Sequence, residues 1–124
     1  MVQSLNTKVD IVVDATSFGG FTDYGKIMIG DKSFEFYNSR DSQKCIQIPW
    51  EKVDYVIASV LLKGKWIPRY AIKTKENGTY TFSSKEPKKV LRVVRKYVDP
   101  SHMVSSLSFF DVVKRVVQSK FKKS

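Results

Sequence analysis

The feature that most constrains this chain is a pair of short apolar alternations on either side of a turn signal. Ile27 and Ile29 precede the dipeptide Gly30-Asp31, and Phe34 and Phe36 follow it. A two-residue turn pairs odd positions with even ones, so the isoleucines and the phenylalanines share one face. The register and the apolar pattern therefore agree, and the segment is predicted to be a β-hairpin with one buried face.

More strands are predicted on both sides of this hairpin. Val53 to Leu62 is long and mostly apolar, as a central strand would be. Lys63-Gly64-Lys65 then turns the chain, and Trp66 to Lys75 returns it. Shorter strands are predicted from Lys8 to Ala15, around Ile46 and Ile48, and around Tyr80 and Phe82, which brings the total to about seven.

The returning strand sets the expected register of the next hairpin. Trp66 and Tyr70 fall on the strand face that also holds Ile72, so both are predicted to lie in the core. A three-residue loop, Glu76-Asn77-Gly78, is preferred after this strand because it pairs Phe82 with Ile72 and so puts apolar side chains together.

Two amphipathic helices are predicted after the strands. Ser83 and Glu86 have the spacing of a capping box, and Pro87 is tolerated in a first turn. Asp99-Pro100 ends this helix, and a second helix is predicted from Ser108. The apolar positions of the first helix are Val90, Leu91, Val94, Tyr97 and Val98. The chain is thus divided into one domain, residues 1–99, and a linker with a basic C-terminal helix, residues 100–124.

Positive charge is concentrated in these two helices. From Lys85 to Ser124 the chain has eleven Lys or Arg residues against three Asp or Glu, whereas the preceding residues have eleven against nine. Most of the formal net charge of +10 therefore lies at the C-terminal end. This distribution favours binding over catalysis, but it does not identify the partner.

The sequence contains no recognisable catalytic or metal-binding constellation. Cys45 is the only cysteine, and His102, the only histidine, is expected to be a solvated linker residue. Asp10 and Asp14 share a strand face but lie about 13 Å apart, too far for a carboxylate pair acting on one bond. We therefore predict a protein that is not an enzyme and needs no cofactor or metal. The single thiol and the polar start of the chain favour a cytoplasmic location.

The C-terminal segment has the composition of a helix that lies at a membrane surface, apolar on one side and basic on the other. Three uses are open: packing on the sheet or on a second subunit, docking on a protein partner, and contact with anionic lipid. Nucleic acid is not favoured, because the interleaved basic and aromatic residues from Lys65 to Tyr70 are assigned to the core face.

Idiosyncratic motifs along almost the whole chain carry a resemblance to a known family. They are Asp14 to Phe18, Asp23 to Gly30, Phe34 to Asn38, Lys63 to Arg69, Tyr97 to Pro100 and Ser106 to Arg115. In these motifs the chain resembles the ManO family, small proteins encoded beside mannose-type phosphotransferase permeases in Gram-positive bacteria. The stretch Ile48 to Val56 also resembles bacterial proteins of the pleckstrin-homology and GRAM-like fold.

The resemblance implies a fold and a role. The fold is α+β and mainly β: a pleckstrin-homology-like barrel or sandwich of about seven antiparallel strands, closed by a C-terminal helix and followed by a second basic amphipathic helix. The role is that of a non-enzymatic accessory or regulatory module for the membrane sugar permease or its cytosolic components. The family offers no catalytic residues to carry over. The first loop, Thr16 to Asp23, has no Lys or Arg, so head-group binding in the manner of phosphoinositide-binding relatives is not expected.

The predicted contact residues lie in the first loop and in the C-terminal tail. The alternative function is peripheral binding to anionic membrane surfaces through the same tail, at the inner face of the membrane. The sequence does not determine the direct partner or the oligomeric state. The contact residues are Phe18, Phe21, Lys114, Arg115, Lys120, Lys122 and Lys123.

Overall fold

The structure is a computed structural model that describes residues 3–19, 22–76 and 78–107. Within this part the chain forms eight strands and one α-helix. The strands are β1 (Val9–Phe18), β2 (Thr22–Gly30), β3 (Ser33–Asn38), β4 (Cys45–Pro49), β5 (Val53–Leu61), β6 (Trp66–Thr74), β7 (Thr79–Ser84) and β8 (Met103–Ser105). The helix, α1, is Pro87–Val94.

The strands form one open, mixed sheet in the order β4-β3-β2-β1-β7-β6-β5-β8. Seven of them pair antiparallel, and β8 pairs parallel with β5. The prediction of a barrel or sandwich of about seven antiparallel strands is therefore wrong, and only its mainly-β class fits. The eighth strand was missed because Met103–Ser105 is too short to show an alternating pattern and pairs with residues far away in the sequence.

The sheet is strongly curved, so that both of its halves contribute to one core. Strands β3 and β7 are separated in the sheet by β2 and β1, yet the rings of Phe34 and Phe82 lie 5.1 Å apart. Phe36 also reaches Phe82, at 5.7 Å between ring centroids. All three side chains are buried. The inward residues of opposite strands therefore pack together, although the two edges of the sheet do not pair within the described residues.

The structure confirms which residues of the first predicted hairpin share its buried face. Ile27 lies opposite Phe36 and Ile29 opposite Phe34, and all four side chains are buried. The turn itself is Asp31-Lys32, one residue later than predicted, because Gly30 still belongs to β2.

The predicted register of the β6–β7 hairpin is wrong by two residues. Phe82 pairs with Tyr70 rather than with Ile72, and Ile72 pairs with Tyr80. A shift of two keeps every side chain on its predicted face, so Phe82 is still buried. The loop is longer than predicted because the amide and the hydroxyl of Thr74 both donate to the Gly78 carbonyl oxygen, at 2.9 and 2.8 Å.

The two predicted C-terminal helices also need correction. Among elements that lie wholly within the described residues α1 is the only α-helix, and it ends at Val94, short of the predicted end at Val98. Its predicted capping box does not form, because Ser83 belongs to β7 and Glu86 takes a left-handed conformation (φ 48°) without a side-chain cap. The predicted second helix, from Ser108, lies outside the described residues.

The apolar face of α1 packs on the sheet as predicted. Val90 and Val94 are fully buried, and the helix contacts β1, β2 and β6. Lys88, Lys89 and Arg92 point away from the core and are exposed, as are Arg95 and Lys96 in the turn that follows. The helix and the turn that follows it therefore place five basic side chains on the outer surface.

After α1 the chain returns to the sheet through β8. Met103, Val104 and Ser105 pair with Val56, Ile57 and Ala58 of β5, so the segment predicted to be a linker contains part of the sheet. The division of the chain at residue 99 stays a prediction. In residues 3–19, 22–76 and 78–107 no helix is long and apolar enough to span a membrane.

Candidate interaction surface

Two hairpin turns define the surface chemistry of this sheet. The first, the clamped turn (residues 30–33), lies between β2 and β3 and is covered by the N-terminal strap (residues 3–8). The second, the β5–β6 tip (residues 60–66), connects β5 to β6. At the clamped turn the polar side chains have hydrogen-bond partners, whereas at the β5–β6 tip large apolar side chains are exposed to solvent.

The Asp31 carboxylate holds the strap against the clamped turn. It accepts hydrogen bonds from the Thr7 amide at 2.9 Å, the Lys8 amide at 3.0 Å and the Thr7 hydroxyl. The hydroxyl hydrogen bond and then the backbone hydrogen bond from Lys8 lower the pKa of Asp31 to about 2. Asn6 adds to the clamp, because its Oδ1 accepts from the amides of Lys32 and Ser33, both at 2.8 Å.

A buried carboxylate lies under the same strap. Glu35 is fully buried, and it accepts hydrogen bonds from the Ser4 hydroxyl (2.6 Å) and the Leu5 amide (2.8 Å). The hydroxyls of Ser33 and Tyr37 also donate to it, at 2.7 and 2.8 Å. Burial raises the pKa of the Glu35 carboxyl, but these hydrogen bonds outweigh burial, so the pKa lies below its ordinary value. The four hydrogen-bond donors around this carboxylate fasten the strap to β3.

Aromatic contacts complete this side of the molecule. Trp50 stacks on Tyr97 with ring centroids 5.1 Å apart, and its indole N–H donates to the Gly30 carbonyl oxygen at 2.9 Å. Tyr97 donates to Asp10, and this hydrogen bond raises the pKa of Tyr97 to about 12. The clamped turn is thus tied to the start of the chain, to β4 and to the segment after α1.

The β5–β6 tip carries large apolar side chains that point into solvent. Trp66 is 53% exposed, Leu61 47% and Leu62 68%. Val60, at the end of β5, is exposed as well. The position of Trp66 contradicts its predicted place in the core. Tyr70, its neighbour on the same strand face, is buried as predicted.

The backbone of the tip is irregular. Leu62 and Lys63 have positive φ values, 53° and 56°, in a region that costs residues other than glycine about 1 kcal/mol or more. The register of the β5–β6 ladder shifts between Ser59 and Leu61, so Leu61 pairs with Trp66. A register shift of this kind changes the direction in which side chains point, and here the exposed Leu61 and Trp66 follow directly after it.

The hairpin that carries the tip is uniformly positive. Between Asp54 and Glu76 the sequence contains five Lys or Arg residues and no Asp or Glu. Lys73, near the base, pairs with Asp54 at 3.0 Å. Within the described residues no carboxylate lies within ion-pair distance of Lys63, Lys65 or Arg69, and all three are exposed.

Of the predicted contact residues, the structure describes Phe18. It ends β1, is half-buried, and lies 4.3 Å beneath the Arg69 guanidinium in a cation–π contact. The other predicted contact residues lie outside the described residues and stay predictions. They are Phe21, Lys114, Arg115, Lys120, Lys122 and Lys123.

The remaining sequence candidates for chemistry are placed as structural residues. His102 is half-buried and held in place, because its ring stacks on Tyr55 at 4.8 Å and its Nδ1 lies 2.6 Å from the Asp54 carbonyl oxygen. A carbonyl oxygen only accepts, so Nδ1 carries the proton. Cys45 is half-buried and borders a groove of about 490 Å³ along β4. No group of three or more His, Cys, Asp or Glu side chains in residues 3–19, 22–76 and 78–107 could hold a metal ion.

Sequence reasoning missed the β5–β6 tip because it extended the core alternation of β6 as far as Trp66. A signal was present in the run Val60-Leu61-Leu62, three consecutive apolar residues that lead directly into Lys63-Gly64-Lys65. A strand with one buried face needs only every second residue to be apolar, and a turn needs none. Consecutive apolar residues beside a lysine-rich turn therefore indicate that some of these side chains lie outside the core.

By fold, the chain is a mainly-β protein built on one eight-stranded mixed sheet. It belongs to the family described as a domain of unknown function (DUF956), which matches residues 1–117. No curated protein matches it. Its structure is similar to the crystal structure of the C-terminal domain of an unknown protein from Leishmania infantum, with a TM-score of 0.63 and 13% identity, over 73% of this chain and 83% of that one. At this identity the likeness concerns the fold alone.

Proposed function

We propose that this chain is a non-enzymatic accessory or regulatory module that binds a mannose-type phosphotransferase sugar permease or its cytosolic components. The resemblance to the ManO family motivates the choice of partner. The structural support is Phe18, half-buried at the end of β1 beneath the exposed Arg69, together with the exposed Leu107 that precedes the basic C-terminal segment. This surface suits docking, since it combines apolar contact area with positive charge.

The observation that carries the proposal is the direction of β8. Because β8 runs parallel to β5 and Ser105 pairs with Ala58, the chain travels toward the end of β5 that carries the tip. Leu107, the last described residue, is 78% exposed. The tail that follows Leu107 in the sequence supplies Lys114, Arg115, Lys120, Lys122 and Lys123.

The proposed place of action is the inner face of the membrane that contains the permease. A basic surface there gains from long-range attraction to acidic groups, and specific contacts then select the partner. The proposed contacts are the tail residues together with Phe18 and Phe21 of the first loop.

The test is co-purification of the tagged full-length protein with the permease from membranes at moderate salt. One variant replaces the five basic tail residues by glutamine. The matched control replaces the five basic residues of α1 and its following turn, Lys88, Lys89, Arg92, Arg95 and Lys96, and so makes the same change in net charge. We expect the unchanged protein and the control to retain the permease and the tail variant to lose it.

Two results would contradict this proposal. If no form of the protein retains the permease, the permease is not the partner. If the tail variant and the control lose it equally, binding depends on net charge alone and the tail is not a docking element.

A further inference from the structure

We infer that the β5–β6 tip inserts its apolar side chains into the interface of an anionic lipid bilayer. The inference concerns a site and a ligand that the permease proposal does not need, because it requires lipid alone. It is carried by three observations on the tip: exposed apolar side chains, unpaired lysines beside them, and a backbone that holds them outward.

The apolar side chains are of the kinds that favour the boundary between water and lipid. Trp66 combines a large apolar ring with one polar N–H, which suits the level of the lipid head groups. Leu61 and Leu62 add aliphatic surface that a bilayer would bury. These residues follow one another around a single projecting turn, so one shallow insertion would cover all of them.

The charges around them complement an anionic surface. Lys63 and Lys65 alternate with the apolar residues of the tip, and Arg69 lies farther along β6. Each Lys or Arg near an anionic leaflet strengthens binding about fivefold. Long lysine side chains can keep the ammonium group among the phosphates while their stems lie in the apolar layer.

The same charges favour lipid over a protein partner at this turn. Lysine is depleted at the centres of protein–protein interfaces, whereas the tip interposes two lysines between its apolar residues. A protein partner would also have to supply a pocket that desolvates these ammonium groups. A bilayer interface accepts both kinds of side chain without such a pocket.

The left-handed conformations of Leu62 and Lys63 indicate that the outward geometry is specified. In a turn without a function, glycine or asparagine at these positions would avoid the cost. The Leu62 side chain instead stands in solvent at 68% exposure, in the turn between β5 and β6.

The experiment measures binding of the full chain to vesicles made of equal parts of phosphatidylglycerol and phosphatidylcholine, with pure phosphatidylcholine as the reference. Leu62→Ser with Trp66→Ser should weaken binding roughly 100-fold, because two apolar side chains no longer insert. The matched control, Val12→Ser with Tyr24→Ser, removes an exposed aliphatic and an exposed aromatic residue from β1 and β2 and should leave binding unchanged. Melting curves establish that both variants are folded.

A second pair of variants separates the charge from the insertion. Lys63→Gln with Lys65→Gln should weaken binding to the anionic vesicles about 30-fold. Lys88→Gln with Lys89→Gln makes the same charge change on α1 and should leave the affinity close to that of the unchanged chain. On pure phosphatidylcholine the difference between the two pairs should disappear.

Tryptophan fluorescence reports insertion directly. Lipids brominated on their acyl chains should quench the unchanged chain and the Tyr24→Ser form equally. Trp66→Phe should remove this quenching, because Trp50, the other tryptophan, is packed against Tyr97.

Three outcomes would overturn the inference. The first is absence of binding to the anionic vesicles, which would mean that lipid is not the ligand of the tip and would favour a protein partner. The second is binding that the Leu62 and Trp66 substitutions do not weaken, since the tail would then be the lipid contact. The third is binding without quenching of Trp66, which would mean attraction by charge without insertion. None of these outcomes decides whether the permease co-purifies, so the two proposals fail separately.

Discussion

The clamped turn and the β5–β6 tip close hairpins of the same sheet, but only the first is held by the rest of the chain. At the clamped turn the polar groups of Asp31 and Glu35 are matched by donors from the N-terminal strap. At the tip, apolar side chains stand in water, and among the described residues no carboxylate lies within ion-pair distance of Lys63 or Lys65. The difference teaches that one turn serves the stability of the fold, whereas the other is maintained at some cost to stability.

The comparison predicts that substitutions at the two turns will have opposite consequences. Changes at the clamped turn should lower the free energy of unfolding and have no specific effect on binding. Removal of the exposed apolar side chains at the tip should leave stability almost unchanged and weaken binding, and relief of the left-handed backbone at Lys63 should raise stability. Each prediction below tests one side of this contrast.

The largest expected effect is that of Glu35→Ala, which should lower the free energy of unfolding by about 3 kcal/mol. The substitution leaves the hydroxyls of Ser4, Ser33 and Tyr37 and an amide of the strap without their acceptor. Urea unfolding of the purified protein measures the change. Leu62→Ala at the tip is the control and should change the value by no more than about 0.5 kcal/mol. Equal effects of the two substitutions would refute the contrast.

A smaller effect is expected from a methyl group added at each turn. In Gly30→Ala the new Cβ would lie 2.2 Å from the Lys8 carbonyl oxygen and 2.6 Å from Asn6 Cγ, so the strap must move, at a cost of about 2 kcal/mol. In Gly64→Ala the Cβ meets no atom within 4 Å, and only the positive φ of 87° costs energy, about 1 kcal/mol. Thermal unfolding of both variants shows which substitution lowers stability more. A larger decrease for Gly64→Ala than for Gly30→Ala would mean that the strap moves away from the new methyl group at little cost.

The next effect on stability should appear only at acidic pH. Hydrogen bonds from Thr7 and Lys8 lower the pKa of Asp31 from 3.8 to about 2. A group whose pKa is lowered by folding stabilises the folded state above its unfolded pKa, and this contribution is lost as the pH falls through the folded value. The clamped turn should therefore weaken between pH 3.8 and about 2. Asp31→Asn should reduce the pH dependence of the urea midpoint in this window, and identical profiles would show that the carboxylate does not hold the strap.

The smallest effect should be a gain in stability. Lys63→Gly relieves a left-handed conformation (φ 56°) and, after the added entropy of the unfolded chain, should raise the free energy of unfolding by about 0.5 kcal/mol. Lys65→Gly is the matched control: Lys65 has an ordinary φ of −78°, so this substitution should lower stability. If Lys63→Gly also destabilises, the tip is not strained.

Local patterns in the sequence determined the faces of the strands but not all of their partners. The alternation around Ile27 and Phe34 gave the correct faces because one side of that hairpin is buried. The β6–β7 register was missed by two residues, since a shift of two preserves the faces and the pattern cannot detect it. Ser83 resembled a helix cap, but pairing with Thr16 holds it in β7. These choices depend on tertiary contacts that a local pattern does not contain.

The candidate surfaces were harder to predict than the strands. The sequence assigned Trp66 to the core by parity, which fails beyond the register shift between Ser59 and Leu61. Glu35 alternates with two phenylalanines and would ordinarily face water, yet the strap covers it. The exposure of each of these two residues depends on whether a distant segment of the chain lies over it. The predicted tail contacts stay predictions.

The parallel pairing of β8 has a consequence for any shortened form of this protein. Three residues near the end of the described chain cover the outer edge of β5, a strand of nine residues. A chain cut at residue 100 would leave that edge with unsatisfied amides and carbonyls, which invite self-association with another copy. Loss of partner binding in such a truncation would then reflect aggregation, so a truncation should keep residues 103–105.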